Sequence, residues 1–200
     1  MATQQKKVAF HTMGCKLNFS ETSTIKRDFI SRGFKTVSFN EYANIYVLNS
    51  CSVTENADRE ARKIIRQAKR LNPGSSIIVT GCYAQLKPEE LAAIKEVDMI
   101  FGAKEKFNLL DHLDSIELNH KTKLFHSEIN SVSHFEPSFS SNDRTRSYLK
   151  VQDGCDYNCT FCTIPLARGA SRSSTVSKTL MSAKQAISSG AREIVLTGVN

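Results

Sequence analysis

The sequence has no apolar run approaching the roughly 18 residues of a membrane-spanning helix. Its start, MATQQKKVAF, is polar and then immediately strand-like, without the apolar core of a secretory signal. Neither membrane insertion nor export is expected, and the cytoplasm is the expected compartment. Acidic residues are in deficit, 20 Asp and Glu against 27 Lys and Arg, which leaves a formal charge of +7. That balance favours a polyanionic partner, although net charge speaks to attraction and solubility rather than to one ligand. Otherwise, 40% hydrophobic and 24% charged residues describe an ordinary folded chain with one or two cores.

What the chain does have is six cysteines, Cys15, Cys51, Cys82, Cys155, Cys159 and Cys162. A cytosolic chain of this size neither needs nor keeps disulfide staples, so metal or cluster ligation is the better reading. Short apolar runs (KVAFHTM, TVSF, NIYVLN, SIIVT, MIFG) alternate with helical patterns such as SETSTIKRDFISRG, ENADREARKIIRQAKRLN, PEELAAIKEV and KEKFNLLDHLDSI. This predicts an α/β domain over residues 1–118. Continuous rather than alternating apolar strands suit a parallel sheet covered on both faces, with the flavodoxin-like order 2-1-3-4-5.

On that frame Cys15 follows the first strand, Cys51 the third and Cys82 the fourth. In a parallel sheet these strands leave by one edge, and the outer two lie only about 10 Å apart at ~4.8 Å per strand. The three thiols therefore converge where open α/β sheets bind ligands. A single free cysteine is usually just a small buried hydrophobe; three at equivalent positions are harder to read that way. Gly14 and Gly81 precede two of them and allow tight turns or close approach. Asn18 with Glu21, and Ser52 with Glu55, have the spacing of helix-capping pairs, which would aim helix N-termini at the same edge. Arg59, Arg62, Arg66 and Arg70 form a basic stripe on the helix after Cys51. A solvated face is its plain reading, and phosphate tracking the alternative.

Residues 119–147 lack periodicity, are rich in Ser and Asn, and read as a linker with one short strand, KLFHSEI. From 148 to 200 a βαβ unit is expected: SYLKVQDG, the cysteine loop, STVSKTLMSAKQAISSG and REIVLTG. Two parallel strands and one helix cannot bury their faces alone, so this unit is expected to belong to a larger α/β domain. Its cysteines have the spacing Cys-x3-Cys-x2-Cys, with no fourth cysteine or histidine nearby. Structural zinc needs four ligands, and catalytic zinc typically has histidine or carboxylate among its three. Three clustered thiolates are soft donors that suit an iron–sulfur cluster with one iron left open. A zinc-binding RNA module and a non-catalytic electron-transfer or scaffold protein remain alternatives.

GCDYNCTFC resembles the radical S-adenosylmethionine (SAM) motif, with the aromatic Phe161 before its last cysteine. Together with MGCKLN, NSCSVTENADREARK, TGCYAQ and IPLARGASRS, the chain resembles the radical SAM methylthiotransferase family over essentially all of its length. The resemblance implies that Cys15, Cys51 and Cys82 hold an auxiliary [4Fe–4S] cluster and Cys155, Cys159 and Cys162 the SAM-binding one. It implies that residues 148–200 begin a radical SAM partial (β/α) barrel, and that flavodoxin or ferredoxin serves as electron donor. Arg168 and Arg172 are then expected to contact the SAM carboxylate or a substrate phosphate. Phe161, Thr197, Gly198 and Asn200 are further cofactor-facing candidates. GCKLNFSET looks most like the branch that modifies N6-threonylcarbamoyladenosine in tRNA. Branches acting on isopentenyladenosine or on a ribosomal-protein aspartate come next.

Overall fold

The computed structural model describes residues 5–115, 122–141 and 145–199. Strands β1 (Lys7–Thr12), β2 (Lys35–Val37), β3 (Ile45–Ser50), β4 (Ser76–Gly81), β5 (Met99–Phe101) and β6 (Lys123–Phe125) form one parallel sheet, ordered β2-β1-β3-β4-β5-β6. The helices α1 (Lys16–Ser31), α2 (Glu55–Leu71), α3 (Cys82–Leu86) and α4 (Pro88–Ala92) connect its strands. The order 2-1-3-4-5 is present, with one strand added at the edge. That sixth strand comes from the KLF of the segment expected as a linker, and pairs Met99 with Lys123 through Phe101 with Phe125.

Consecutive strand residues serve opposite cores, which explains the unbroken apolar runs. Ile45 and Val47 of β3 pack with Val8, Ile25, Phe29 and Phe101, whereas Tyr46 and Leu48 pack with Ala61, Ile65, Ala68 and Val79. Each fully buried side chain of this kind contributes about 1.5–3 kcal/mol. Helix boundaries depart from the sequence pattern in two places. PEELAAIKEV is helical only over Pro88–Ala92, and the LLDHLDS run is a 3-10 helix, Leu109–Ser115. Pro88 sits at the first position of its helix, where a missing N–H costs nothing.

The second unit comprises β7 (Ser138–Phe139), β8 (Arg146–Lys150), β9 (Gln152–Asp153), α5 (Ile164–Arg168), β10 (Arg172–Ser173), α6 (Val176–Ser188) and β11 (Glu193–Thr197). β8 and β11 are parallel across α6, as expected for a βαβ unit. β7 adds antiparallel to the other edge of β8, and β9 pairs with β10.

α1 joins the two units. Leu17, Ile25 and Phe29 face inward, while Ser20, Ser23 and Arg27 meet β7 and its flank. The Ser20 and Ser138 hydroxyls are 3.0 Å apart, Ser141 N–H donates to Ser23 Oγ at 3.0 Å, and Arg27 donates to the Phe139 carbonyl at 2.9 Å. Phe19 stands edge-on to Tyr148 at 5.8 Å. Among the described residues no helix is long and apolar enough to cross a membrane.

Candidate functional site

Cys15 follows β1 and occupies the cap position of α1, Cys51 follows β3 directly, and Cys82 opens α3 immediately after β4. β1, β3 and β4 are neighbours in the sheet, so the three thiols share one edge. Two glycines let the chain pack tightly at this edge. Gly14 has φ +88°, and a Cβ built there would lie 3.0 Å from both Cβ and Sγ of Cys51. Gly81 has φ +94°, and its Cβ would stand 2.3 Å from the Ser50 carbonyl oxygen. A side chain at either position would push strand ends apart.

The capping expectation at this edge is corrected. Cys15, not Asn18, precedes α1 and makes no side-chain cap bond; Thr54, not Ser52, caps α2 by accepting from Ala57 N–H at 3.2 Å. Ser52 instead donates to Asp58 at 2.7 Å. Asn18 and Glu21 lie inside α1 and serve a different purpose.

Glu21 is 0% exposed and its Oε1 lies 2.7 Å from Lys106 Nζ, 3.1 Å from Lys150 Nζ and 3.1 Å from Arg168 Nη1. Arg168, 4% exposed, also donates to Asp153 Oδ1 at 2.7 Å and to Asn18 Oδ1 at 2.5 Å. Asp153 is reached in turn by Lys150 at 3.4 Å and Arg172 at 3.6 Å. Burial pushes the Glu21 carboxyl up, but Arg168, Lys106 and Lys150 overcome it and hold it well below the usual carboxylate range. Arg168 is held above its ordinary value against burial by Glu21 and Asp153, with smaller help from Cys82 and Cys15. Burial raises the Cys82 thiol, Arg168 and Lys106 oppose this, and Cys51 and Cys15 add to it. The first triad thus sits at the cationic end of a buried ionic cluster.

Sequence reasoning missed Glu21, Lys106, Lys150 and Asp153. One signal for Glu21 was available: Leu17, Glu21, Ile25 and Phe29 recur every four residues, so an acid interrupts an apolar stripe. Lys150 likewise ends a strand next to buried Leu149.

Cys155, Cys159 and Cys162 lie on the loop between β9 and α5. Cys155 is buried and its N–H donates to Gly169 O at 3.0 Å, and Cys162 N–H closes onto Cys159 O at 3.1 Å. Gly154 (φ +75°) lets this loop lie flat on the next segment, since a Cβ there would be 2.1 Å from the Ala170 carbonyl oxygen. Phe161 projects from the loop, 90% exposed. Arg168, expected to contact a ligand, has its guanidinium committed inside the protein. Arg172 donates to the Arg168 and Ala170 carbonyls at 2.8 and 2.7 Å. Thr197 is buried at the end of β11, opposite Lys150, and Gly198 packs against Gln152. Asn200 lies outside the described residues. On the basic stripe, Arg59 pairs with Glu55 at 3.3 Å and Arg62 donates to the Tyr83 hydroxyl at 2.6 Å, whereas Arg66 and Arg70 are exposed.

Among the described residues no three Cys, His, Asp or Glu side chains are already drawn into a metal cage. The donor chemistry nonetheless fits a thiolate-ligated iron–sulfur group. Each triad is all sulfur, and the first has Arg168 and Lys106 beside it to balance anionic charge.

The family described as "Uncharacterized protein family UPF0004" matches residues 7–102. The chain is 43% identical over 195 residues to the threonylcarbamoyladenosine tRNA methylthiotransferase MtaB of Aquifex aeolicus, covering 96% of this chain and 47% of that protein. It is 41% identical over 197 residues to the protein of the same name from Bacillus subtilis, covering 96% and 43%. It is 33% identical over 197 residues to the ribosomal protein uS12 methylthiotransferase RimO of Prochlorococcus marinus, covering 95% and 42%. The chain spans about half the length of the curated relatives it matches. Residues 7–102 thus match the UPF0004 model, and the chain is similar to part of the methylthiotransferases of the MtaB type.

Proposed function

We propose that this chain is the cluster-bearing portion of a cytoplasmic radical SAM enzyme that places a methylthio group on threonylcarbamoyladenosine of tRNA, beside the anticodon. One observation carries the reading: one all-cysteine triad lies at the sheet edge, and a second lies on the loop leading into α5, whose Arg168 is tied to α1 through Glu21 and Asn18. The Arg168 charge acts on Cys15 and Cys82, and α5 begins two residues after Cys162. In this reading Cys15, Cys51 and Cys82 hold one [4Fe–4S] cluster, and Cys155, Cys159 and Cys162 hold the one that SAM chelates. When bound, the clusters and SAM supply radical generation and the methylthio group for C2 of the adenine.

The chain's own part is electrostatic and steric. Arg168 and Lys106 oppose the burial that raises the Cys82 thiol, and Gly14 and Gly81 let backbone approach whatever the thiols hold. Phe161, Thr197 and Gly198 are assigned to the SAM side of the second loop. Exposed Arg66 and Arg70 on α2 supply phosphate contacts for tRNA. A flavodoxin or ferredoxin delivers electrons. Action on a ribosomal protein is a second reading, favoured by the uS12-modifying relative in Prochlorococcus marinus.

Mass spectrometry of bulk tRNA from cells lacking the gene separates these. Loss of the methylthio group from threonylcarbamoyladenosine, restored by the full-length gene, is the expected result. Unchanged tRNA with unmodified uS12 moves the assignment to the second reading, and loss from isopentenyladenosine alone moves it to that nucleoside.

A further inference from the structure

A cavity of about 180 Å³ lies between the two units, with Lys104, Lys106, Lys150, Asp153 and Arg172 in its wall. One water needs only about 10–15 Å³ by the same kind of measure, so an organic group fits. The charges do not balance. Counting the buried side chains in the wall and those directly behind it, Lys106, Lys150, Arg168 and Arg172 face Glu21 and Asp153, an excess of two cations, with exposed Lys104 and partly buried Glu136 adding one charge of each sign. Burying such an excess without an anion is unfavourable.

Arg172 shows where the anion belongs. Its side chain is only 10% exposed, and Nη1 is used by two carbonyls, yet its buried Nε has no partner. Lys104 is exposed and makes no ion pair among the described residues. Phe107 and Val132 add an apolar wall, and Ser131 and Asn108 add hydrogen-bonding groups. Lys106 lines the cavity and reaches Glu21 of α1 at 2.7 Å.

We infer that this cavity binds a carboxylate carried on a neutral, hydrogen-bonding arm. Resting on the reading proposed above, that group is the threonyl carboxylate of the modified adenosine. A carboxylate could also come from the methionyl end of SAM, but that end carries an ammonium and a sulfonium as well. The threonyl nitrogen is acylated, so its arm is a net anion and matches a cavity with surplus positive charge.

The test titrates this chain by calorimetry with N-carbamoyl-L-threonine, its carboxamide, L-methionine and inorganic phosphate. N-carbamoyl-L-threonine is expected to bind at least about tenfold more tightly than the other three, the scale of one charge-assisted contact. Lys104→Gln, on an exposed side chain, and Arg172→Gln are each expected to weaken it several-fold, with the Lys104→Gln melting temperature unchanged. Equal binding of the carboxamide, preference for methionine or phosphate, or indifference to Lys104→Gln overturns the inference. Methylthiolation of purified tRNA by the full-length protein is read separately. Modification of threonylcarbamoyladenosine without carboxylate binding sinks the cavity assignment alone, and the reverse pattern sinks the substrate reading alone.

Discussion

Glu21→Gln is the most informative single change, because one carboxylate with no exposed surface faces Lys106, Lys150 and Arg168 at 2.7–3.1 Å. Glutamine keeps the volume and one acceptor oxygen, so the loss is of charge rather than of packing. Removing one partner of a buried ion pair costs about 3–5 kcal/mol, since the other charge stays behind uncompensated. Against a typical margin of about 5–15 kcal/mol, that is roughly a fifth of the total at the least. Urea denaturation of the purified chain measures it. Lys150→Met in the Glu21→Gln background should recover part of the loss, because it removes a stranded cation. The pH dependence has a fixed sign. Glu21 is held below its unfolded value of about 4.3, so its contribution is complete above that pH and is lost as pH falls through the folded value. Glu21→Gln should therefore weaken the chain at pH 7 and flatten its acid sensitivity below about pH 4. A cost under about 1 kcal/mol, the level of a solvated surface pair, would falsify the picture of a dry cluster.

Gly154→Ala should cost clearly more than Gly33→Ala. Both have positive φ, but a Cβ at 154 meets the Ala170 carbonyl oxygen at 2.1 Å, and one at 33 meets nothing within 4 Å. Thermal melting of the pair isolates the clash from the roughly 1–3 kcal/mol of backbone strain they share. Thr54→Ala removes the α2 cap and should cost about 1 kcal/mol in the same assay; no change would mean that the cap bond is solvated away. After anaerobic reconstitution, Cys51→Ala should lose one cluster's iron and Cys159→Ala the other's. Iron content that does not drop in either variant would refute the ligand assignment.

The first sheet was legible because its strands are buried on both faces, so β3 reads as IYVLNS without a polar alternate, and the ends of β1, β3 and β4 each deliver a cysteine to the same edge. β6 was expected as a short strand within KLFHSEI but not as a member of this sheet, and β7 was not expected. Lys123–Phe125 has only three residues, and Ser138–Phe139 two, so neither carries a usable period. Their status as strands is decided by Met99 and Leu149 across the ladder, contacts that lie 24 and 10 residues away in sequence. The capping misreading has a similar cause. Asn18-x-x-Glu21 and Ser52-x-x-Glu55 satisfy a local rule, and the true starts at Lys16 and Glu55 are set by where strands β1 and β3 end.

The cysteine triads were visible as spacing, whereas what lies between them was not. Arg168 was singled out as a residue for a ligand, and its fork does find carboxylates, but they are Glu21 and Asp153 of the chain itself. Arg168 sits on the helix leaving the Cys155–Cys162 loop and holds that helix to α1 through Glu21 and Asn18, so the loop and the α1 end of the first triad are mechanically tied. Independence of the triads then has a limit. Cysteine variants leave the ionic cluster intact and should act one triad at a time. Glu21→Gln, which touches no cysteine, should instead loosen both, because α1 and α5 are held to each other through its carboxylate. Comparing iron retention under chelator challenge in Glu21→Gln and Cys159→Ala decides the point. Faster iron loss from only one triad in the Glu21 variant would show that Arg168 is anchored well enough by Asp153 and Asn18, and that the carboxylate stabilises the fold without coupling the sites.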